Sequence, residues 1–482
     1  MIVHGGGEKL LELMARQGHP MDAPCGGKGI CGKCRVRISG GVSPLAEIER
    51  EHLTPEELAG GWRLACQCRV NGEAQVELDG SGSARILTEG GAETIEGLAG
   101  VQAAVDIGTT TIAAYLLVDG KVADCEAAMN PQRAFGADVI SRVDYVINHE
   151  DGLALLSDLV RSQVDELIGR MTARRRVRPE EIQRVALVGN PIMTHILSKI
   201  DPRAIAAAPY TPAYREAFFT RGLLKSAPEA EQFVGGCVAG YVGSDTIAAA
   251  MAAGMDQSDE MSLLLDIGTN GEIALGGRSR MLCCAAAAGP AFEGAHIKYG
   301  SGAVDGAIDR VWAEDGALRC HVLGGGQARS ICGSGLVDAV AALIDLEILD
   351  ETGRMDGAEV ALLDGVALTQ RDVREVQLAK GAIAAGIDIL MREMGVAEAD
   401  IQNLYLAGGF GNYIDKASAC KIGLLPPSLL NRVKPIGNAA GAGARLMLKG
   451  PERAEALRRH MEYLELSGRK DFQELFSEKM LF

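Results

Sequence analysis

Apolar positions fall in short runs broken by glycine-bearing turns, and the runs repeat. "AAVDIGTTTIAAYLLVDG" (103–120) and "LLLDIGTNGEIALGG" (263–277) each predict a buried strand, a tight D-I-G-T turn and a second strand. "RVALVGN" (184–190) and "NLYLAGGFGN" (403–412) each predict a buried strand ending in a glycine turn. "VAGYVGSDTIAAAMAAG" (238–254) and "VKPIGNAAGAGARLML" (433–448) each predict an apolar strand, glycines and a small-residue helix. Three matched pairs in the same order predict a fold built twice. No run of eighteen or more apolar residues occurs, so no transmembrane helix is predicted.

The pattern ahead of the repeats is different. "EKLLELMARQG" reads as a helix, with only Ile2 and Val3 before it as strand residues, and "RVRISGG" and "QCRVNGEAQVEL" read as strands. Between them, Cys25, Cys31 and Cys34 in "CGGKGICGKC" make C-x5-C-x2-C, and "GWRLACQCRV" offers a fourth thiol at Cys66 or Cys68. Zinc commonly takes two paired knuckles. One tight cluster plus one distant thiol is the layout of plant-type [2Fe–2S] proteins, although their first gap is four residues. Gly26, Gly27, Gly29 and Gly32 allow the loop to turn tightly and aim backbone N–H groups at sulfur. A redox dithiol would need only Cys31 and Cys34.

Composition narrows the setting. A chain of 482 residues, 47% of them apolar, predicts two to four domains with sizeable cores. The division predicted is 1–80, a linker at 81–102, a first lobe at 103–257, a second at 258–450 and a tail at 451–482. The linker, within "DGSGSARILTEGGAETIEGLAG", could either swing or dock as an extra strand. In the tail, Phe472, Phe476 and Phe482 read as anchors on the second lobe. The net charge of -16 argues against a nucleic-acid binder. The N-terminus lacks the basic start and long apolar core of a signal peptide, which reads as cytoplasmic. In that compartment cysteines are reduced thiols or cluster ligands. Cys125, Cys237, Cys283, Cys284, Cys320, Cys332 and Cys420 then read as small buried residues, with adjacent Cys283 and Cys284 on opposite strand faces.

The D-I-G-T turns carry the second chemistry. Gly108 and Gly268 let backbone approach a phosphate, and Thr109, Thr110, Thr269 and Asn270 supply donors. Asp106 and Asp266 would be repelled by phosphate unless a cation intervenes, and Mg²⁺ held mostly through water is the natural mediator. No Walker motif occurs, which excludes a P-loop enzyme. Glu293 reads equally as a water-orienting carboxylate or an exposed turn residue. His195 reads as a packing residue, and the basic run around "ARRRVRP" as a solvated helix end.

These motifs carry three resemblances. The first segment resembles vertebrate-type and related bacterial ferredoxins, in which L-x-C-Q precedes the last strand. That implies Cys66 as fourth ligand beside Cys25, Cys31 and Cys34, with Cys68 a spectator. Such ferredoxins open with a full β-hairpin, which here is expected to be missing or shortened. The duplicated part resembles the ASKHA superfamily, two ribonuclease-H-like lobes with ATP in the cleft. By that resemblance Asp106, Gly108, Thr109, Thr110 and Thr111 form the first phosphate loop. Asp266, Gly268, Thr269, Asn270, Gly271 and Glu272 form the second, with Asp106 and Asp266 catalytic. Gly408, Gly409 and Gly411 form the adenosine turn, and the helices after Gly243 and Gly437 cross at a hinge.

The whole chain resembles the reductive activators of corrinoid proteins. The fold implied is multidomain, a small α+β β-grasp ferredoxin-like domain followed by a two-lobed α/β ASKHA ATPase. The activity implied is ATP-dependent transfer of one electron from a [2Fe–2S] cluster to the Co(II) corrinoid of a B12-dependent methyl-transfer protein, restoring Co(I). The electron comes from an unidentified low-potential donor. Nucleic acid and membrane are not expected as partners, and a homodimer is an allowed arrangement. The alternatives are an ATP-dependent activator of another low-potential enzyme, and a redox-sensing switch that binds ATP without turnover.

Overall fold

The computed structural model describes residues 1–19, 21, 23, 25–78, 87–91 and 94–482. Strands β1 (Ile2–Lys9), β2 (Arg35–Val42), β3 (Trp62–Leu64) and β4 (Arg69–Leu78) form an antiparallel sheet in the order β1-β4-β2-β3. Val36, Ile38, Val70, Ala74 and Val76 alternate along β2 and β4 and are buried with Leu10, Leu11, Leu13 and Met14 of the helix Leu10–Arg16. The expected helix start at Glu8 and near-absent first strand need correction. β1 has eight residues, pairs with β4, and includes Glu8 and Lys9. Its glycines hid it. A Cβ on Gly5 would sit 2.8 Å from the Val70 carbonyl oxygen, so close strand approach demands glycine where strand propensity predicts otherwise.

The repeats fold into two sheets of equal plan. The first joins β5 (Val101–Ile107), β6 (Thr111–Val118), β7 (Lys121–Met129), β8 (Ile182–Gly189), β9 (Phe218–Thr220) and β10 (Glu231–Val234) in the order β7-β6-β5-β8-β10-β9. The second begins with β11 (Ser262–Ile267), β12 (Gly271–Gly276) and β13 (Met281–Ala286). An insertion follows, with β14 (Ala307–Glu314), β15 (Ala317–Val322) and β16 (Ser330–Ile331) in one small sheet and β17 (Glu359–Leu363) with β18 (Val366–Thr369) in another. Adding β19 (Asn403–Ala407), β20 (Val433–Pro435) and β21 (Met461–Tyr463) gives the order β20-β19-β11-β12-β13-β21. Without the edge strands β9 and β21, both sheets read third, second, first, fourth, fifth. In each, an antiparallel hairpin leads and the fourth strand lies parallel to the first. β8 and β19 lie between neighbours and are buried along most of their length, hence their continuous apolar runs.

The helices Ser244–Ala252 and Ala439–Met447 cross with their backbones touching: a Cβ on Gly443 would lie 2.0 Å from the Ala248 carbonyl oxygen. The strand expected in "VAGYVG" is corrected to β10, upstream of it. Residues 238–243 bend instead, with Gly240 pressed on the Tyr210 carbonyl and Gly243 on that of Gly189. The helix Gln370–Met394 is capped by Thr369 and Asp372 and stopped by Gly395 at φ +72°. The helix Lys470–Lys479 follows β21, and Phe472, Phe476 and Phe482 pack against the second-lobe core. His195 is buried, stacked on Tyr214 and bonded to the Pro191 carbonyl and the Ala213 amide. Arg174 and Arg175, at the end of the helix Gly152–Arg175, are half-exposed and pair with Asp124.

Of the scattered cysteines, Cys237, Cys283, Cys284, Cys332 and Cys420 are buried, whereas Cys125 is exposed and Cys320 half-buried, against expectation. Cys125 lies in β7, whose outer position in the sheet leaves one side in solvent. Cys283 and Cys284 enter separate cores. Of the expected linker, residues 81–86, 92 and 93 lie outside the described residues. The rest docks. Tyr115 donates to the Thr88 carbonyl at 2.8 Å, the Asn438 amide to Glu89 at 2.7 Å, Arg445 to Gly90, and Thr94 bridges Lys121. No helix among the described residues is long and apolar enough to cross a membrane.

Candidate functional site

The loop 25–34 folds around Cys66. Antiparallel pairing of Arg35 with Leu64, continued by the Ala65 amide on the Cys34 carbonyl at 2.8 Å, brings Cys34 beside Cys66. Gly26, Gly27, Gly29 and Gly32 all have positive φ, from +62° to +82°, so each turn needs glycine. Cys31 donates to Cys25, with sulfurs 3.4 Å apart. Cys34 donates likewise to Cys66. The Cys25 thiol is pushed down to about 4 by the bond from Cys31, and that of Cys66 down to about 7 by the bond from Cys34. The two donors are raised correspondingly. Backbone N–H groups of Gly29, Ile30 and Cys31 point at the Cys25 sulfur, and that of Gly29 also at Cys66, where Gln67 adds a side-chain donor at 3.3 Å. Four thiols ringed by N–H donors suit an anionic iron–sulfur group. Cys68 faces Arg63 and Glu49 instead, its thiol raised by burial. Ile30, at the loop tip, is 66% exposed.

The two D-I-G-T turns meet at one carboxylate, that of Glu293. Gly108 could carry no side chain, since a Cβ would meet the Thr111 carbonyl at 2.7 Å, while the Gly268 amide closes its turn on Asn270 at 3.0 Å. Asp106 and Asp266 are the penultimate residues of β5 and β11. Burial, then the Asp245 carboxylate, push Asp106 up to about 7, opposed by a bond to Asn438. Burial pushes Asp266 up to about 6. Asp245 rises to about 7 through burial and Asp266, and Glu272 is raised by burial and both aspartates. Like charges among the four carboxylates thus raise Asp106, Asp245 and Glu272 further, although no group of acidic residues among the described residues is drawn close enough to hold a metal ion.

Gly408 has φ +77° and lies so close to Asp266 that a Cβ would stand 2.6 Å from its Oδ1. Its amide bonds the Gly437 carbonyl at 3.0 Å. The turn expected at Gly408, Gly409 and Gly411 is a short helix, Gly408–Tyr413, because the backbone coils directly off β19. Gly437 is covered by the docked linker, with a Cβ there only 2.3 Å from the Glu89 carbonyl oxygen.

Three further residues join the site. Glu293, read equally as a turn residue, accepts from Thr110 Oγ1 at 2.7 Å and from Thr269 Oγ1 at 2.5 Å, tying the two hairpins together. Asp245 was hidden in a stretch that reads as a small-residue helix, one position beyond the residue that the repeat places opposite Asn438. Arg142 is fully buried and donates to the Thr109 carbonyl, with its guanidinium lowered to about 9 by burial. No local pattern marks it.

Comparison with known proteins matches this layout. The family model of the C-terminal domain of RACo, the ASKHA domain, matches residues 260–482, and that of the RACo middle region matches 101–258. The 2Fe-2S iron-sulfur cluster binding domain matches residues 2–71. The corrinoid activation enzyme RamQ of Eubacterium limosum is 32% identical over 415 residues, covering 79% of this chain and 70% of its own length. The chain belongs to the RACo family of reductive activators. Within that family, the solved structure of a reductive activator for corrinoid, iron-sulfur protein superposes with a TM-score of 0.71 at 28% identity, covering 99% of this chain and 96% of that one. The [Co(II) methylated amine-specific corrinoid protein] reductase of Methanosarcina barkeri is 26% identical over 346 residues, 64% of this chain and 62% of its own length. The fold is therefore the expected one, a [2Fe–2S] ferredoxin-like domain followed by a two-lobed ASKHA domain.

Proposed function

We propose that this reductive activator uses ATP to drive one electron onto the Co(II) corrinoid of a B12-dependent methyl-transfer protein, restoring Co(I). The observation that carries the reading is the seating of the four-thiol loop directly beside the two-hairpin cleft in one chain. A bound [2Fe–2S] cluster supplies one-electron redox chemistry, and Cys25, Cys31, Cys34 and Cys66 are the residues to hold it. One relative is named a corrinoid activation enzyme and another a Co(II) corrinoid-protein reductase, which supports that partner class.

ATP binds between the hairpins. Gly108, Thr109, Thr110 and Thr111 cradle phosphate from the first lobe, and Gly268, Thr269, Asn270 and Gly271 from the second. Asp106 and Asp266, aided by Glu272, are the residues that would hold Mg²⁺, whose charge would offset the repulsion between phosphate and carboxylate. Gly408, Gly409 and Gly411 back the nucleoside, and Gly437 lies at the hinge. The division into 1–80, 81–102, 103–257, 258–450 and 451–482 belongs to the same reading, as do a cytoplasmic setting and an external low-potential donor.

Protein with its cluster intact, incubated with a corrinoid protein as Co(II), a reductant and ATP, is expected to develop the Co(I) absorbance only when ATP is present. Absence of Co(I) with several partner corrinoid proteins would overturn the reading.

A further inference from the structure

The cluster loop touches both lobes at points one residue from the phosphate hairpins' own contacts. On the second-lobe side Lys33, between Cys31 and Cys34, donates its ammonium to the carbonyls of Gly294 at 2.7 Å and Gly300 at 3.0 Å. These belong to a closed turn: a Cβ on Gly300 would lie 2.2 Å from the Gly294 carbonyl oxygen, and the Ile297 carbonyl between them accepts from Lys33 at 3.5 Å. Gly294 follows Glu293, whose two oxygens accept hydrogen bonds from the Thr110 and Thr269 hydroxyls. On the first-lobe side Gly26 packs on Phe135 and Ser141, Lys28 faces Asp144 at 3.6 Å, and neighbouring Arg142 holds the Thr109 carbonyl. Cluster loop, Gly294 turn, Glu293 and hairpins thus form one continuous chain of polar contacts.

Resting on the proposed nucleotide site, we infer that Lys33 is a positioning residue that keeps the cluster loop docked on the Gly294 turn until nucleotide enters. Each threonine hydroxyl has one proton to donate. A phosphate oxygen that takes it releases Glu293, and the negative phosphate repels that carboxylate. Displacement of Glu293 carries Gly294 with it, and Lys33 loses its paired acceptors. The loop then loosens and its sulfur edge opens to the acceptor. By reciprocity, docking of the loop opposes nucleotide entry.

The test compares holoprotein with and without Mg²⁺ and AMP-PNP. The readouts are bleaching of the cluster absorbance by an iron chelator and hydrogen exchange in 25–34 and 294–300. In the native chain AMP-PNP is expected to speed both at least about fivefold, the low end for coupled sites. Lys33→Met is expected to bleach and exchange fast in either state, so that the ratio falls towards one, and Lys33→Arg to restore it. If Lys33→Met fails to hold its cluster, exchange in 294–300 decides alone. A native-like ratio in Lys33→Met overturns the inference. So does a native chain that binds AMP-PNP by titration without any cluster response. A chain that binds no AMP-PNP overturns the nucleotide reading and this inference with it.

Discussion

Asp106, Asp245, Asp266 and Glu272 lie near the two hairpin turns, and all four are held above the usual carboxylate range, chiefly by burial. A carboxyl whose folded pKa exceeds its unfolded value favours the protonated fold. For Asp245 that contribution is full below about pH 4 and is lost as pH rises to about 7. Asp245→Asn is therefore expected to leave the melting temperature unchanged near pH 4. Near pH 8, without cation, it should raise it by roughly 2–4 °C per kcal/mol relieved. The same substitution is expected to weaken Mg²⁺-dependent nucleotide binding, read by titration at both pH values. At the thiol site, Cys31→Ser is expected to abolish the cluster absorbance while nucleotide binding survives. Asp266→Ala is expected to do the reverse, keeping the absorbance and losing ATP hydrolysis. Cys25, Cys31 and Cys34 were legible because spacing and glycines constrain each other within ten residues, whereas the choice of Cys66 rather than Cys68 came from the ferredoxin resemblance. Lys33 and Arg142 were not legible, since their partners lie 261 and 33 residues away and no local pattern records such reach.

At the level of elements, duplication was the strongest signal, because each D-I-G-T turn joins two buried strands and both lobes repeat the order. What escaped was set by backbone proximity rather than by side-chain pattern. β1 contains three consecutive glycines and looks like a loop, yet at Gly5 β4 lies against it too closely for a side chain, and Gly7 has a φ of +112°. β10, with the sequence EQFV, is shorter and more polar than the glycine-rich bend that follows it, so the apolar bend drew the strand assignment. The crossing of helices 244–252 and 439–447 obeys the same rule. Gly443→Ala places a methyl against the Ala248 carbonyl and is expected to cost about 1–3 kcal/mol, as overpacking of a tight contact does. Thermal unfolding measures that loss. A variant with native stability would show that the helices separate freely.

Across the whole molecule, the docked linker is what joins the parts behind the cleft. Arg445 is buried, donates to Gly90, and lies over the Tyr115 ring at 4.9 Å, while Tyr115 itself holds Thr88. One guanidinium thus pins the linker, a strand of the first lobe and the hinge helix of the second. Arg445→Ala is expected to destabilise the chain by about 2–4 kcal/mol, from the lost cation–π contact and charged hydrogen bond. Chemical denaturation followed separately by cluster absorbance and tryptophan fluorescence would show whether the transitions also part. The sequence left open whether this segment swings or docks, because small polar residues suit either and its partners come from three distant segments. The pairing of Arg35 with Leu64 carries a different kind of consequence. Three thiols are neighbours along the chain, but the fourth arrives only when β2 and β3 align, and a slip of one residue would turn Cys66 away. If Cys25, Cys31, Cys34 and Cys66 hold the cluster, a domain that mispairs β2 and β3 lacks the fourth sulfur, and the cluster absorbance per chain is expected to fall with the mispaired fraction.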